Sequence, residues 1–301
     1  IFLEKGAKVE CSILNVTNKI ALVLISLLIL AEPKVYAKTK SKNEVIFEGY
    51  YKVLIGGAHT GFFIQKYEYN PKTQNFISTY YIKLNELAGN ITESIKAVSS
   101  NKFHPISYQY TGQIGKSLVS YDATFKKGKM ILKKSDGKRG TKTEVKIKKG
   151  IFLSTFANYL MLQRGISEGK VFSYAAIAEE QGKVLRGKIK FKSKTIVGGQ
   201  TVYKVLNTFG SHHYISYFTE KGEVISLSSP VKGVKAHLVA SPAEATKNHQ
   251  LNTRTIKLLF GNIPRGKINS LGKLKVKQQT KPAPETTLPP KQAEPEKKSD
   301  K

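Results

Sequence analysis

The chain has 301 residues, with 50 Lys+Arg against 21 Asp+Glu and a formal charge of +29 at pH 7. Its 15 Tyr and 14 Phe supply enough aromatic surface for a core, which excludes a fully disordered chain. A single cysteine, Cys11, excludes a disulfide scaffold and a zinc site built on cysteines.

Residues 1–37 read as an export signal. Lys5, Lys8 and Lys19 precede the apolar run 20–30, Glu32-Pro33-Lys34 breaks it, and Val35-Tyr36-Ala37 forms a small-residue cleavage site ending at Ala37. The run falls short of the roughly 20 residues that span a bilayer, so cleavage is expected rather than retention as an anchor. No cysteine follows it, which excludes a bacterial lipoprotein anchor. The expected location is the periplasm or cell envelope, with the extracellular medium as the alternative. The processed protein would be peripheral to the membrane.

From Glu44 to about Val239, β-like runs alternate with turn signals. The runs are 44–55, 60–69, 75–84, 103–111 and 117–125, then 129–134, 141–148, 170–177, 183–196, 200–208, 211–218 and 222–228. Asn70-Pro71-Lys72, Lys127-Gly128, Ser135-Asp136-Gly137, Val197-Gly198-Gly199 and Lys221-Gly222 punctuate them, as in an antiparallel meander. The stretch 56–61, Gly-Gly-Ala-His-Thr-Gly, lacks the Gly-Lys-Ser/Thr ending of a phosphate loop and reads as a hairpin turn.

Alternation is cleanest where Ile189 and Phe191 interleave with Lys188, Lys190, Lys192 and Lys194. Val145 and Ile147 against Lys146 and Lys148 repeat it. The pattern predicts one apolar face and one solvated, lysine-rich face. The segment 152–164 (FLSTFANYLMLQR) is the helix expected to cover the apolar face, ending at Gly165. Phe152, Phe156, Tyr159 and Leu160 share one of its sides. Beyond it, 242–250 reads as a short helix, 254–260 as a last strand or helix, and 271–301 as a disordered Lys/Pro/Glu tail. The expected fold is therefore mainly β: a single curved antiparallel sheet, half-barrel or open barrel, over 38–270, wrapped around one buried helix.

Several pieces follow one another in a familiar order. They are Leu162-Gln163-Arg164-Gly165, Glu168-Gly169-Lys170, the strand 183–196, Gly198-Gly199-Gln200-Thr201-Val202-Tyr203-Lys204-Val205, and the hairpin through Tyr214, Tyr217, Phe218, Lys221 and Gly222. With Tyr51–Gly57 and Thr60-Gly61-Phe62 upstream, this order resembles a bacterial family of secreted β-proteins classed as a domain of unknown function. That family is related in shape to the half-barrel of LolA/LolB-type lipoprotein carriers. The resemblance covers most of 44–240 and implies a periplasmic single-sheet fold around a helix. It implies no catalytic residues. Its closing hairpin often carries a Trp where this chain has Tyr.

Catalytic and metal constellations are sparse. His212-His213 would face opposite sides of a strand, and His59, His104, His237 and His249 lack chelating spacing. No Gly-x-Ser-x-Gly elbow is present, Asp122 is the one candidate acid among the aspartates, and nothing in the spacing of Glu44, Glu48 and Glu68 marks a carboxylate pair. No cofactor, metal or enzymatic activity is expected. Residues 1–37 hold four lysines and three glutamates and 273–301 eight lysines and four acids, so about +24 of the +29 belongs to the β-domain. Export separates that charge from nucleic acid, and no nucleic-acid-binding motif is present.

The leading expectation is a non-catalytic binding or carrier module for a hydrophobic or lipid-like ligand or a partner envelope protein. Phe152, Phe156, Tyr159, Leu160, Ile189 and Phe191 would line or plug its concavity. The alternative is a basic structural protein adhering to anionic polymer (lipopolysaccharide, phospholipid headgroups or wall polymer) through Lys146, Lys148, Lys188, Lys190, Lys192 and Lys194. A cryptic hydrolase is the least supported reading.

Overall fold

A computed structural model describes residues 43–197 and 200–269. The expected signal with its Ala37 site, the Gly198-Gly199 pair and the tail from 271 lie outside the described residues. The strands are β1 (Glu44–Ile55), β2 (Ala58–Asn70), β3 (Asn75–Leu84), β4 (Ile91–Ser100), β5 (Pro105–Ile114), β6 (Ser117–Lys126), β7 (Lys129–Ser135) and β8 (Gly140–Lys146). They continue as β9 (Phe152–Leu153), β10 (Val171–Ala178), β11 (Lys183–Val197), β12 (Gln200–Phe209), β13 (His212–Thr219), β14 (Val224–Ser229) and β15 (Val234–Val239). Three α-helices are described: α1 (Ala157–Gln163), α2 (Pro242–Thr246) and α3 (Thr253–Phe260).

The strands form one curved, open sheet in the order β8-β7-β6-β5-β4-β3-β2-β1-β15-β14-β13-β12-β11-β10-β9. The first strand pairs with the last: Tyr50 lies opposite Val239 and Tyr51 opposite Leu238. The meander therefore closes through its middle, and the free edges are β8 and β9, which follow one another in the chain. They do not pair with each other. β9 has only two residues, and these run parallel to β10, with Phe152 opposite Ala176 and Leu153 opposite Ile177.

The expected helix is thus shorter than 152–164. Phe152 and Leu153 join the sheet, where aromatic and apolar side chains suit a buried ladder. A single 3₁₀ turn follows (Ser154–Phe156), and only then α1. The predicted stop holds, since Gly165 has φ +79°. The 254–260 segment resolves as helix, with Asn252 Oδ1 accepting the Thr255 N–H at 3.1 Å as its N-cap.

Besides β9, the strands β4 and β15 fall outside the runs expected from sequence. Glu93 interrupts the apolar set Ile91, Ile95 and Ala97 of β4, and the six residues of β15 alternate too briefly to stand out. The edge strand β8 departs from expectation as well. It ends at Lys146, is exposed throughout, and leaves Ile147 and Lys148 in the loop to β9. Among the described residues no strand covers its outer edge, so Val145, opposite the buried Met130, stays exposed, while Ile147 packs against the core from the loop.

The one-sided sheet is also only part of the picture. Tyr50, Ile64 and Tyr81 lie side by side across β1–β3 on the outer face and are buried under α2 and α3, which contribute Ala245, Ile256 and Phe260. Residues 264–269 strap this cover down. Glu48 Oε1 accepts the N–H groups of Arg265 at 2.6 Å and Gly266 at 2.8 Å. The Tyr50 hydroxyl donates to the Pro264 carbonyl at 3.0 Å, and the Asn269 amide donates to the Glu48 carbonyl at 3.1 Å. Elsewhere the alternation holds: Lys188, Lys190, Lys192 and Lys194 are exposed while Ile189 and Phe191 are buried.

Candidate ligand cavity

The concave face is filled unevenly. One buried cluster joins Phe152, Phe156 and Leu160 to Tyr108, Tyr110, Met130, Ala176 and Ile177. A second contains Met161, Ile189, Phe191, Val205 and Phe218, and a third Phe47, Tyr51, Val202, Ile225 and Leu238. Beside the 3₁₀ turn and α1 lies a cavity of about 270 Å³. β1–β3 give it Phe47, Tyr51, Phe63, Gln65, Tyr67 and Tyr80. The turn and α1 give Ser154, Thr155, Ala157 and Asn158, and the β13–β14 hairpin closes it with Tyr214, Ser216, Glu223 and Leu227.

Period-two geometry explains the wall. On β2, Phe62 and Ile64 turn outward under α2 and α3, so Phe63, Gln65 and Tyr67 turn inward. Tyr51 stacks on its cross-strand partner Phe63 with ring centroids 4.1 Å apart. A polar seam fixes the turn against the sheet. The Tyr67 hydroxyl donates to the Thr155 carbonyl at 2.8 Å, Ser78 Oγ and Thr155 Oγ1 share a hydrogen bond of 2.7 Å, and Gln65 Nε2 donates to Ser78 Oγ at 2.9 Å.

Glu179 latches the turn from the other side. It is fully buried, accepts from the Ser154 hydroxyl at 2.6 Å and takes the Thr155 N–H at 3.3 Å. Burial pushes its carboxyl up to about 7, against the pull of those hydrogen bonds. Burial also holds the Tyr67 and Tyr214 phenols up at about 12 and those of Tyr51 and Tyr80 well above their ordinary value. The tyrosines are therefore neutral donors at any physiological pH. The Tyr159 hydroxyl is buried with no protein hydrogen-bond partner, and its ring meets Tyr67 edge-on at 4.8 Å.

Of the six apolar residues picked from sequence, all sit in the interior and none is in the cavity wall. Phe152, Phe156 and Leu160 pack on one flank, Ile189 and Phe191 on the other, and Tyr159 stands behind Tyr67. The wall residues lie on strands whose sequence pattern marks them as strands without assigning them an inward face. Assigning the inward face of 60–69 by alternation would have found Phe63, Gln65 and Tyr67.

The lysines are not one patch. Lys188–Lys194 line the outer side of β11, where Lys194 pairs with Glu220 at 3.0 Å, whereas Lys146 and Lys148 belong to the β8 edge and the loop after it. Glu48 is engaged in the strap, and Glu68 pairs with Lys66 at 2.9 Å in a buried ion pair. Asp122 is exposed on the outer face of β6. His212 and His213 are both exposed, and His212 Nδ1 lies 3.3 Å from Lys232 Nζ. Among the described residues no group of His, Cys, Asp or Glu could hold a metal. One histidine pair escaped the sequence: His59 and His249 meet edge-on at 4.6 Å.

No family model matches the chain, and no curated protein matches it. The chain is similar to the crystal structure of a β-barrel-like protein of domain of unknown function DUF1849 from Brucella abortus. That match has 10% identity and a TM-score of 0.49 over 64% of this chain and 94% of that one. It is also similar to a DUF1089 family protein from Pseudomonas aeruginosa, with 12% identity and a TM-score of 0.37 over 58% of this chain and 91% of that one.

Proposed function

We propose that this protein is a non-catalytic binding module of the bacterial envelope that takes a slender hydrophobic or lipid-like ligand between the curved sheet and the 154–163 segment. The observation that carries the reading is the 270 Å³ cavity, walled by aromatic rings and edged with hydroxyl and amide groups and the Glu223 carboxylate. Apolar walls with a few fixed polar groups suit a ligand with an apolar body and one hydrogen-bonding end. The volume suits one narrow apolar group rather than several acyl chains. The order of motifs resembling a bacterial secreted β-family of unknown function, itself related in shape to LolA/LolB-type carriers, and the export signal read in 1–37 belong to the same reading.

Mass spectrometry of the purified protein under native and extracting conditions tests it, together with uptake of an environment-sensitive apolar dye. Ala157→Leu narrows the cavity from the α1 side and is expected to lower dye uptake at least fivefold with the fold intact by circular dichroism. Absence of both a co-purifying ligand and dye uptake would overturn the reading. Fusing residues 1–37 to a reporter active only outside the cytoplasm tests export.

A second reading rests on the exposed lysine row of β11, Lys188, Lys190, Lys192 and Lys194. Such a row favours adhesion to an anionic envelope polymer. Reversing these four charges should abolish retention on such a polymer at low salt, and retention that survives the reversal sinks the idea.

A further inference from the structure

A different basic feature lies beside the loop that joins the two edge strands. The sequence Lys-Lys-Gly occurs at 126–128, in the β6–β7 hairpin, and again at 148–150, in the loop from β8 to β9. Both glycines have left-handed backbone, φ +72° at Gly128 and +87° at Gly150, so both segments turn sharply. The fold brings the two turns together, with the Ile147 N–H donating to the Gly128 carbonyl at 2.8 Å. They share a concavity of about 410 Å³.

Five lysines surround it: Lys126, Lys127, Lys129, Lys148 and Lys149. All five are exposed, and the one described ion pair among them joins Lys129 to Glu144 at 3.2 Å. No carboxylate lines the concavity. Phe125, Ile147 and Ile151 form an apolar floor that belongs to the inner core. Like charges gathered over a low-dielectric floor repel one another more strongly than they would on a flat, solvated surface. An anion in their midst relieves that repulsion.

We infer that the paired Lys-Lys-Gly turns form a binding site for a phosphate-bearing group, with the ester's apolar portion resting on the floor. Phosphate is favoured over carboxylate because the lining holds no arginine. A planar carboxylate is best gripped by the arginine fork, whereas lysines act as point charges that converge on a tetrahedral, multiply charged anion. This site is separate from the inner cavity and shares no residue with it. The phosphate could belong to a free ligand or to a lipid headgroup, and both present the same chemistry to the turns.

The test uses the whole protein and two probes: inorganic pyrophosphate by calorimetry, and vesicles of phosphatidylcholine with or without phosphatidylglycerol by co-sedimentation. The variant Lys127→Gln/Lys149→Gln is compared with Lys188→Gln/Lys190→Gln, which removes equal charge from β11. The first should weaken binding of at least one probe tenfold or more, and the second less than twofold. Pyrophosphate binding points to a free ligand. Vesicle binding that requires phosphatidylglycerol points to a headgroup. Equal losses in the two variants would reduce the effect to overall charge and overturn the site, as would failure of both probes to bind. Ala157→Leu should leave this binding unchanged, which separates its failure from that of the cavity reading.

Discussion

Glu179 is the residue whose chemistry is most exposed to experiment. Its carboxyl joins the start of the 3₁₀ turn to the end of β10 from a fully buried position. Because burial raises its pKa from 4.5 to about 7, the folded state holds this proton more tightly than the unfolded chain. The stabilisation is therefore complete below about pH 4.5 and is lost as pH climbs to about 7, a difference of roughly 3 kcal/mol. His237 and His249 oppose it, since burial lowers both and their contribution weakens on acidification. Glu179→Gln isolates the carboxyl. Urea melts at pH 4.5 and pH 8 should show the variant gaining stability on wild type at the higher pH and matching it, or falling slightly below, at the lower. A difference between the two proteins that does not change with pH would remove Glu179 from this role.

At the scale of elements, the short segment 152–163 organises the interior. Phe156 is fully buried against Tyr67 and Phe103, with ring centroids 6.2 and 5.9 Å away. Phe156→Ala should cost about 3–5 kcal/mol in denaturant melts. A loss under 1 kcal/mol would mean that the turn is not held by its aromatic side. Gly61 makes a second test. It sits inside β2 opposite Val53 and Leu84, and a Cβ there would collide with the Lys83 carbonyl oxygen and the Leu84 side chain. Gly61→Ala is therefore expected to destabilise by about 1–3 kcal/mol, although the position is a strand and not a turn. These two residues also mark how far the sequence could be read. The apolar alternation of 183–196 and the glycine after residue 164 carried the strands, the hairpins and the helix stop, because those signals are local. Whether Phe152 belongs to helix or sheet depended on Ala176, and whether Tyr50 faces water depended on α3. Both partners are distant in the chain, so no local pattern could reveal them. The cavity was invisible for the same reason, since its walls come from three separated stretches.

For the molecule as a whole, the governing quantity is charge. About +24 falls between residues 38 and 272, while the ion pairs among the described residues include Lys66–Glu68, Lys129–Glu144 and Lys194–Glu220. Only the first is buried, and exposed pairs such as the other two contribute at most about 1 kcal/mol each. Repulsion among the remaining lysines therefore outweighs attraction on the sheet surface. Salt at about 0.15 M shortens the screening length to about 8 Å, against about 30 Å at 0.01 M, and weakens that repulsion in the folded state more than in the expanded chain. Melting temperature should accordingly rise from 0.01 to 0.15 M sodium chloride, by about 2–4 °C for each kcal/mol of repulsion relieved. Were the surface pairs dominant, the same titration would lower it. Replacing chloride by phosphate at equal ionic strength separates screening from occupancy. A further rise in wild type that disappears in Lys127→Gln/Lys149→Gln would assign that increment to the paired turns, because screening alone treats every exposed lysine alike.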